Sequence, residues 1–399
     1  MGLFLGSFCA RALAGPGWSS GWDVTLEGAA NLRGGASRGA VLHGMALARV
    51  AWEQDKTAAD RGVRYRAYGS LLALQGPGPA GRLIGDALGT SNIEGSAGVR
   101  LYAWWIEANS GPWSCRAGAL LADEEFVGTA GGGNQFNSAF GWPAFISANT
   151  VNTGPAFSAA APGVRLERRF GATAAWRLGV FDGDTFDAPD GTALKLARGW
   201  RYRLGGGQGS FAISETAFTP GPGALRARLG AWLHTASFDD VSRDAAGRLM
   251  ADTGAAPRRH PRNGGAYGAL ERTLAGEPGK PGHVDAFFRA GFSPANRNCL
   301  AWTGDAGLAW TGPLPGRPAD VATFGIAHAA ASARFAAHVR ATEPAGAAPD
   351  FEQVIEINYR LALSERVSLV PDLQFIRHPG GSAASRDAVL VMLRASVNR

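Results

Sequence analysis

Lysine is nearly absent from this chain of 399 residues, and arginine supplies almost all of its positive charge. Long apolar runs are also missing. No stretch approaches the roughly 18 residues that a transmembrane helix needs, although 46% of the residues are hydrophobic. The three cysteines, Cys9, Cys115 and Cys299, lie far apart and show neither a disulfide framework nor the spacing of a metal site. The seven histidines also lack metal-ligand spacing. The sequence therefore predicts no metal, no cofactor and no enzymatic centre.

Glycine and positive charge are the two features in excess. The chain has 57 glycines, about twice the ordinary frequency. This suits the turns and bends of a β-barrel, but GC-rich coding would have the same effect. A net charge of +6 and a pI near 9.6 permit anionic partners. The arginines are scattered singly and do not cluster, so we expect no nucleic-acid partner.

Residues 350–399 carry the clearest structural pattern, because apolar and polar side chains alternate there over three successive segments. In the first segment Ile355 and Ile357 point to one side, and Glu356 and Asn358 point to the other. A period of two over roughly ten residues predicts a strand with two different faces. Three such strands, each with one apolar and one charged face, are typical of the wall of a transmembrane β-barrel.

The same alternation recurs along most of the chain. The predicted strands are 22–31, 41–52, 62–75, 100–107, 114–121, 163–170, 174–183, 209–218, 224–238, 264–274, 284–292, 300–310, 321–333, 355–361, 367–375 and 389–397. Residues 123–162 have no regular period, and a soluble domain rarely holds a loop of that length. We therefore predict an all-β fold, a transmembrane antiparallel β-barrel of about 16 strands. The long loop would fold into its lumen.

The N-terminal segment, residues 1–21, differs from the rest of the chain. Residues 2–14 are apolar and end in Ala-Leu-Ala, which resembles the hydrophobic region and cleavage site of a signal peptide. A basic n-region is missing, and Arg11 lies inside the apolar stretch. We expect either a signal-peptide remnant or a start codon placed inside the gene. The single barrel domain is predicted at 22–399.

Several short motifs follow one another along the chain. They include T-S-N-I-E at 90–94, N-S-x-F-G-W-P at 137–143, V-F-D-G-D at 180–184, W-L-H-T-A-S-F-D-D at 232–240 and P-D-L-Q-F-I-R-H-P-G-G at 371–381. Each motif alone is weakly specific. Their order and spacing resemble those of the carbohydrate-selective porins of the OprB family over residues 22–399.

The resemblance implies a sixteen-strand barrel that spans the bacterial outer membrane many times and lets small carbohydrates, such as glucose, diffuse passively. It implies small sugars and outer-membrane lipid as partners, and insertion by the barrel-assembly machinery. It also permits a homotrimer. Two alternatives are left open: a general or anion-preferring porin on the same barrel, favoured by the arginine excess, and, more remotely, a soluble secreted β-rich binding protein.

A sugar pore needs charged donors and acceptors for hydroxyl groups and aromatic faces for the sugar rings. The candidate lumen residues are Arg100, Arg177, Arg226, Arg228, Trp232, Arg289, Glu356, Arg360, Asp372 and Arg394, together with Phe181 and Gln374. The candidate constriction residues in the long loop are Asn134, Asn137, Phe140 and Trp142. For each one, the alternative is a barrel-interior side chain that pairs with its neighbour and never touches a substrate.

Overall fold

The computed structural model describes residues 16–55, 62–187, 199–205, 207–343 and 348–399. Within these residues, sixteen of eighteen strands form one closed barrel. Neighbouring strands in the barrel are antiparallel, and β1 closes the barrel by pairing with β18. This confirms the predicted fold class. The expected signal-like segment, residues 2–14, lies outside the described residues.

The strand boundaries lie close to the predicted ones. The first nine strands are β1 (Gly17–Arg33), β2 (Gly39–Glu53), β3 (Val63–Gln75), β4 (Gly98–Ser110), β5 (Trp113–Leu120), β6 (Ala161–Phe170), β7 (Ala174–Asp182), β8 (Ser210–Phe218) and β9 (Arg226–His234). The others are β10 (Phe238–Asp244), β11 (Pro257–His260), β12 (Asn263–Ala275), β13 (Val284–Phe292), β14 (Leu300–Thr311), β15 (Val321–Ala331), β16 (Phe351–Ala362), β17 (Val367–Arg377) and β18 (Ala388–Asn398).

One predicted strand, 224–238, is wrong at its end. The barrel strand β9 stops at His234, whose buried imidazole lies 2.8 Å from the carbonyl oxygen of Gly183. The chain then leaves the barrel, and β10 pairs with β11 in a separate hairpin. Side chains alternate along β10 as they do along the barrel strands, so the local sequence pattern does not reveal that β10 belongs to a different sheet.

Helical structure is sparse in the described residues. The α-helices are α1 (Ala144–Ser147), α2 (Met250–Thr253) and α3 (Ala333–Thr342). The sequence pattern did not indicate α3, which begins after Ser332; the hydroxyl of this residue accepts a hydrogen bond from the Phe335 amide at 3.1 Å. No described helix has the length and apolar character needed to cross a membrane.

The wall is apolar on its outer face, the reverse of a soluble sandwich. On β9, Leu229 is 70% exposed, whereas Trp232 is 3% exposed. On β13, Phe288 is 50% exposed and the neighbouring Arg289 is fully buried. Such a surface would be unfavourable in water, since apolar area costs free energy when it is hydrated. It is the surface expected of strands that face lipid.

The two ends of the barrel differ in the length of their connections. Residues 111–112, 171–173 and 363–366 make short turns at the end that also carries both termini of the barrel, whereas 121–160 and 235–262 make long connections at the opposite end. Short turns are periplasmic and long loops extracellular in barrels of this kind. The end with the long connections is therefore the extracellular end of this barrel.

Candidate channel through the lumen

Residues 121–160, the inward loop, connect β5 to β6 and fill part of the barrel. They form α1 and several single turns of 3₁₀ helix rather than extended structure. Phe126, Phe136, Phe140 and Phe145 of this loop are among the largest fully buried side chains of the molecule. The apolar core therefore lies inside the barrel, between the loop and the wall, as the prediction of a lumen-filling loop requires.

Buried glutamates of the wall hold the backbone of the inward loop. Glu356 on β16 accepts hydrogen bonds from the amides of Phe136 and Asn137 at 2.5 and 2.9 Å. Glu215 on β8 accepts from the amide of Val127 at 2.8 Å. Loop amides that would otherwise be unpaired inside the barrel thus find charged acceptors, which form stronger hydrogen bonds than neutral ones.

Arg289 on β13 does the same for loop carbonyl groups. Its guanidinium donates to the carbonyl oxygens of Val127, Ala139 and Gly141 at 2.7–2.8 Å. Its Nε also donates to Asp305 at 2.9 Å. All of these groups are buried or nearly so, and the planar fork of arginine allows this many donors to act in fixed directions.

A second, shorter segment, residues 85–97, is fixed in the same way. Glu352 on β16 accepts from the amides of Ala87 and Leu88, both at 2.8 Å. Gln374 on β17 donates to the carbonyl of Thr90 at 3.0 Å. Glu352 was not among the sequence candidates. It lies on the same inward face of β16 as Glu356, four residues earlier, so the alternation could have identified it.

The open part of the lumen begins beneath the inward loop, at its periplasmic side. A cavity of about 520 Å³, here called the vestibule, lies against β3 to β9 and β12. Its charged lining is Arg66, Glu107, Arg116, Asp123, Glu124, Glu125, Glu167, Arg165, Arg169, Arg177, Arg226, Arg228 and Glu271. Arginines and carboxylates therefore occur in almost equal number around the vestibule.

Most of these vestibule charges are paired with a charge on another strand or on the inward loop. Glu107 on β4 lies 2.6 Å from Arg116 on β5 and 2.8 Å from Arg165 on β6. Arg177 on β7 lies 2.6 Å from Glu167 on β6. Arg116 also lies 3.9 Å above the ring of Trp105. Arginines and glutamates thus alternate along one side of the vestibule. A polar solute in the vestibule would contact this ladder of charges on that side.

A smaller cavity of about 180 Å³ lies against β1, β2 and β18. Asn92, Glu94, Trp142, Phe157 and Arg394 are among its lining residues. Arg394 is held by Glu27 at 2.6 Å and by Asn92 at 2.8 Å, and its guanidinium lies 3.7 Å above the ring of Phe136. This cavity combines fixed polar groups with aromatic faces.

Asp123 and Glu124 border both cavities, and the region between the cavities at these two residues is here called the passage. Burial raises the pKa of Asp123 to about 6, an effect that its hydrogen bond from the Phe157 amide partly offsets. Burial also raises the pKa of Glu94 in the smaller cavity, again partly offset by a backbone hydrogen bond, from Ala80. The charge at this passage is therefore sensitive to mildly acidic pH.

The candidate residues from the sequence divide into three groups. Arg177, Arg226 and Arg228 border the vestibule, and Trp142 and Arg394 border the smaller cavity. A second group is packed against the loops or other buried groups: Arg100, Phe181, Trp232, Arg289, Glu356, Asp372, Gln374, Asn134, Asn137 and Phe140. Arg360 lies apart from both, near the periplasmic end, and donates to the carbonyl of Ala319 at 2.9 Å.

The sequence candidates omitted much of the vestibule. Glu107, Arg116, Arg165 and Glu167 line it and were not singled out. All four occupy inward positions of strands in which apolar and polar residues alternate. The period of two could therefore have identified them as lumen residues. In the described part of the chain, no group of three or more His, Cys, Asp and Glu is placed to hold a metal ion.

A model of the carbohydrate-selective porin family, OprB, matches residues 62–398. The chain belongs to this family. No curated protein sequence matches it. As an OprB-family porin it is an outer-membrane β-barrel, and the family is one of channels. Carbohydrates are the substrate class that the family description names.

Solved structures share the fold of this OprB-family chain. The high-pH structure of OprB from Pseudomonas putida has a TM-score of 0.84 at 18% identity, and the match covers 96% of this chain and 94% of that one. The low-pH structure of the same protein gives 0.52 at 12% identity, with 96% and 93% covered. The outer-membrane channel DcaP of Acinetobacter baumannii gives 0.56 at 10% identity, with 98% and 99% covered.

Proposed function

We propose that this porin conducts small sugars by passive diffusion through the smaller cavity and the vestibule, past Asp123 and Glu124. The observation that carries the proposal is the paired ladder of arginines and carboxylates on one wall of the vestibule. A sugar carries hydroxyl groups that both donate and accept, so alternating donors and acceptors can replace its hydration in successive positions. Trp142 offers an apolar face to the sugar ring at the smaller cavity.

The pairing of the arginines also argues against a strongly anion-selective channel. Of the charged residues that line the vestibule, seven are arginines and six are Asp or Glu. Arg116, Arg165 and Arg177 each lie within 2.6 Å of a glutamate. A permeating anion would have to compete with these fixed carboxylates, whereas a neutral solute with many hydroxyl groups would not.

Planar-bilayer conductance with increasing glucose tests the proposal. We expect glucose to reduce the single-channel current in a saturable manner and the channel to show weak ion selectivity. Liposome swelling with sugars of increasing size gives the size limit. A channel that glucose leaves unblocked and that strongly prefers anions would overturn the sugar assignment and favour the anion-preferring alternative.

A homotrimer and insertion by the barrel-assembly machinery form part of the same proposal. The outer wall offers exposed apolar side chains such as Leu71, Ile106 and Trp113, which can pack against a second copy or against lipid. Crosslinking in native membranes followed by mass determination distinguishes the two. Depletion of the assembly machinery should leave the chain unfolded, without the heat-modifiable migration of a closed barrel.

A further inference from the structure

An extracellular groove of about 720 Å³ lies outside the proposed sugar path. It is formed where the turn between β1 and β2 meets the turn between β17 and β18. Arg33, Arg38 and Arg386 line it, together with His378 and Asp387. These turns stand at the extracellular end of the wall, which is the level of the polar headgroups of the outer leaflet.

The three arginines of this groove differ from those of the vestibule. Arg33, Arg38 and Arg386 are all exposed, and among the described residues none forms an ion pair or donates a side-chain hydrogen bond. The carboxylate of Asp387, which also lines the groove, accepts a hydrogen bond from the backbone amide of His378 at 3.2 Å. Among the lining residues, three arginines against one carboxylate leave the groove with an excess of positive charge, and its arginines are unpaired, whereas most arginines of the vestibule are paired with glutamates.

The backbone of the groove is held in a fixed shape. The amide of Gly35 donates to the carbonyl of Arg386 at 2.9 Å, which ties the two turns together. Gly34 has a φ of +65°, and a Cβ atom there would lie 2.1 Å from the carbonyl oxygen of Asp387. The ring of His378 packs on Phe351 with centroids 4.5 Å apart. The arginines thus project from turns that are packed closely against one another.

Exposed apolar side chains lie next to these charges on the side of the membrane core. Leu32, beside Arg33 on β1, is 54% exposed, and Leu42 on the adjoining strand β2 is 65% exposed. An anionic lipid could use both features at once. Its headgroup would bind the arginines at the extracellular rim, and its acyl chains would pack against the exposed leucines of the wall. A free anion would use the arginines alone.

We propose that this groove binds the phosphate-bearing headgroup of a glycolipid in the outer leaflet. Arginine suits this role because its fork can donate two hydrogen bonds to one phosphate group. The lipid would fix the extracellular rim of β1, β2, β17 and β18, where the barrel closes. This binding site is separate from the sugar path, so its occupancy need not alter conduction.

The test is binding of diphosphoryl lipid A to the full-length porin in detergent, measured by native mass spectrometry. The variant is the triple substitution Arg33→Gln, Arg38→Gln and Arg386→Gln. Each basic residue near a membrane surface contributes about fivefold to the affinity for anionic lipid, so we expect a loss of about a hundredfold. Phosphatidylcholine should bind both proteins equally weakly.

A matched control removes the same charge from the periplasmic end. The triple variant Arg168→Gln, Arg272→Gln and Arg366→Gln changes three exposed arginines there. It should bind lipid A within about twofold of the parent protein, since these charges are more than a Debye length from the groove. Heat-modifiable migration and glucose-dependent conductance verify that both variants fold.

Three results would overturn the proposal. The first is unchanged lipid A binding by the groove variant when it is correctly folded. The second is an equal loss in the periplasmic control, which would indicate a general effect of net charge. The third is complete displacement of lipid A by millimolar inorganic phosphate, which would indicate an anion site without lipid selectivity. Loss of glucose block in the parent protein would count against the sugar pathway only.

Discussion

The wall at β13 and β16 and the wall at β4 to β9 use the same residue types for different purposes. At β13 and β16, Arg289 and Glu356 are buried and hold the inward loop. On β9, Arg226 and Arg228 border the open vestibule and pair with glutamates of adjacent strands. An inward arginine on a porin strand is therefore a structural anchor or a channel-lining group according to what covers it.

The largest effect should come from removing the central anchor. Arg289→Met leaves three loop carbonyls without their donor and Asp305 buried without its partner. Loss of one member of a buried pair costs about 3–5 kcal/mol. We expect the free energy of unfolding in detergent to fall by that amount and the single-channel conductance to rise as the loop loosens.

A double variant, Arg289→Met with Asp305→Leu, separates the two contributions. It should recover part of the stability, because no carboxylate is left uncompensated, but not the parent conductance, because the loop carbonyls still lack a donor. If Arg289→Met destabilised no more than Arg228→Met, the distinction between anchoring and channel-lining arginines would fail.

A smaller loss is expected for Glu356→Gln. The side-chain amide retains one acceptor oxygen but presents an NH₂ group to one of the two loop amides, Phe136 or Asn137. Leaving a buried donor unsatisfied costs about 1–3 kcal/mol. Thermal unfolding measures the change, and Glu167→Gln in the vestibule provides the comparison. Equal effects at the two positions would contradict the proposed difference in role.

Substitutions in the vestibule should change the ion selectivity of the channel more than the stability of the barrel. Arg226→Gln with Arg228→Gln removes two partly exposed charges, and Glu215, the buried partner of Arg228, keeps its hydrogen bonds from the Val127 amide and the Tyr267 hydroxyl. The reversal potential in a salt gradient should shift toward cation preference, while the unfolding temperature stays close to that of the parent. An unchanged reversal potential would mean that ions do not pass along this wall.

The smallest effect concerns pH. Burial raises the pKa of Asp123 to about 6, so this carboxylate becomes protonated as the pH falls through that value. The passage then loses a negative charge, and the cation-to-anion permeability ratio should fall between about pH 7.5 and about pH 5. Because the folded pKa is raised, Asp123 stabilises the loop fully only below its ordinary pKa, and this contribution is lost as the pH rises through 6.

Asp123→Asn provides the check on that prediction. It should have a low permeability ratio at both pH values and lose most of the change between them. The remaining change would come from Glu94, whose pKa burial also raises. A variant that kept the full pH dependence would show that Asp123 does not control the charge at the passage.

The barrel wall could be predicted from the sequence because its signal is local. Leu229 and Trp232 occupy an odd and an even position of one strand, so the period of two places them on opposite faces. The structure exposes Leu229 and buries Trp232. The same alternation does not show that β10 belongs to a separate hairpin, because side chains alternate with a period of two in hairpin strands and barrel strands alike.

The channel lining could not be predicted to the same extent, because it depends on contacts between distant segments. Glu356 holds amides about 220 positions earlier in the chain. Arg228 and Arg289 both occupy inward positions, and only the path of the inward loop decides which of them faces open space. Trp232 looks like a sugar-stacking group in the sequence, but it is buried against Phe211.

The anchoring of the inward loop also has a consequence for the order of assembly. The loop precedes β8, β13 and β16 in the chain, yet these later strands supply Glu215, Arg289 and Glu356 to its backbone. Until they arrive, these backbone groups of the loop lack their charged partners, and the loop cannot hold its final shape. The packing of the inward loop is therefore completed late, when β16 joins the barrel wall.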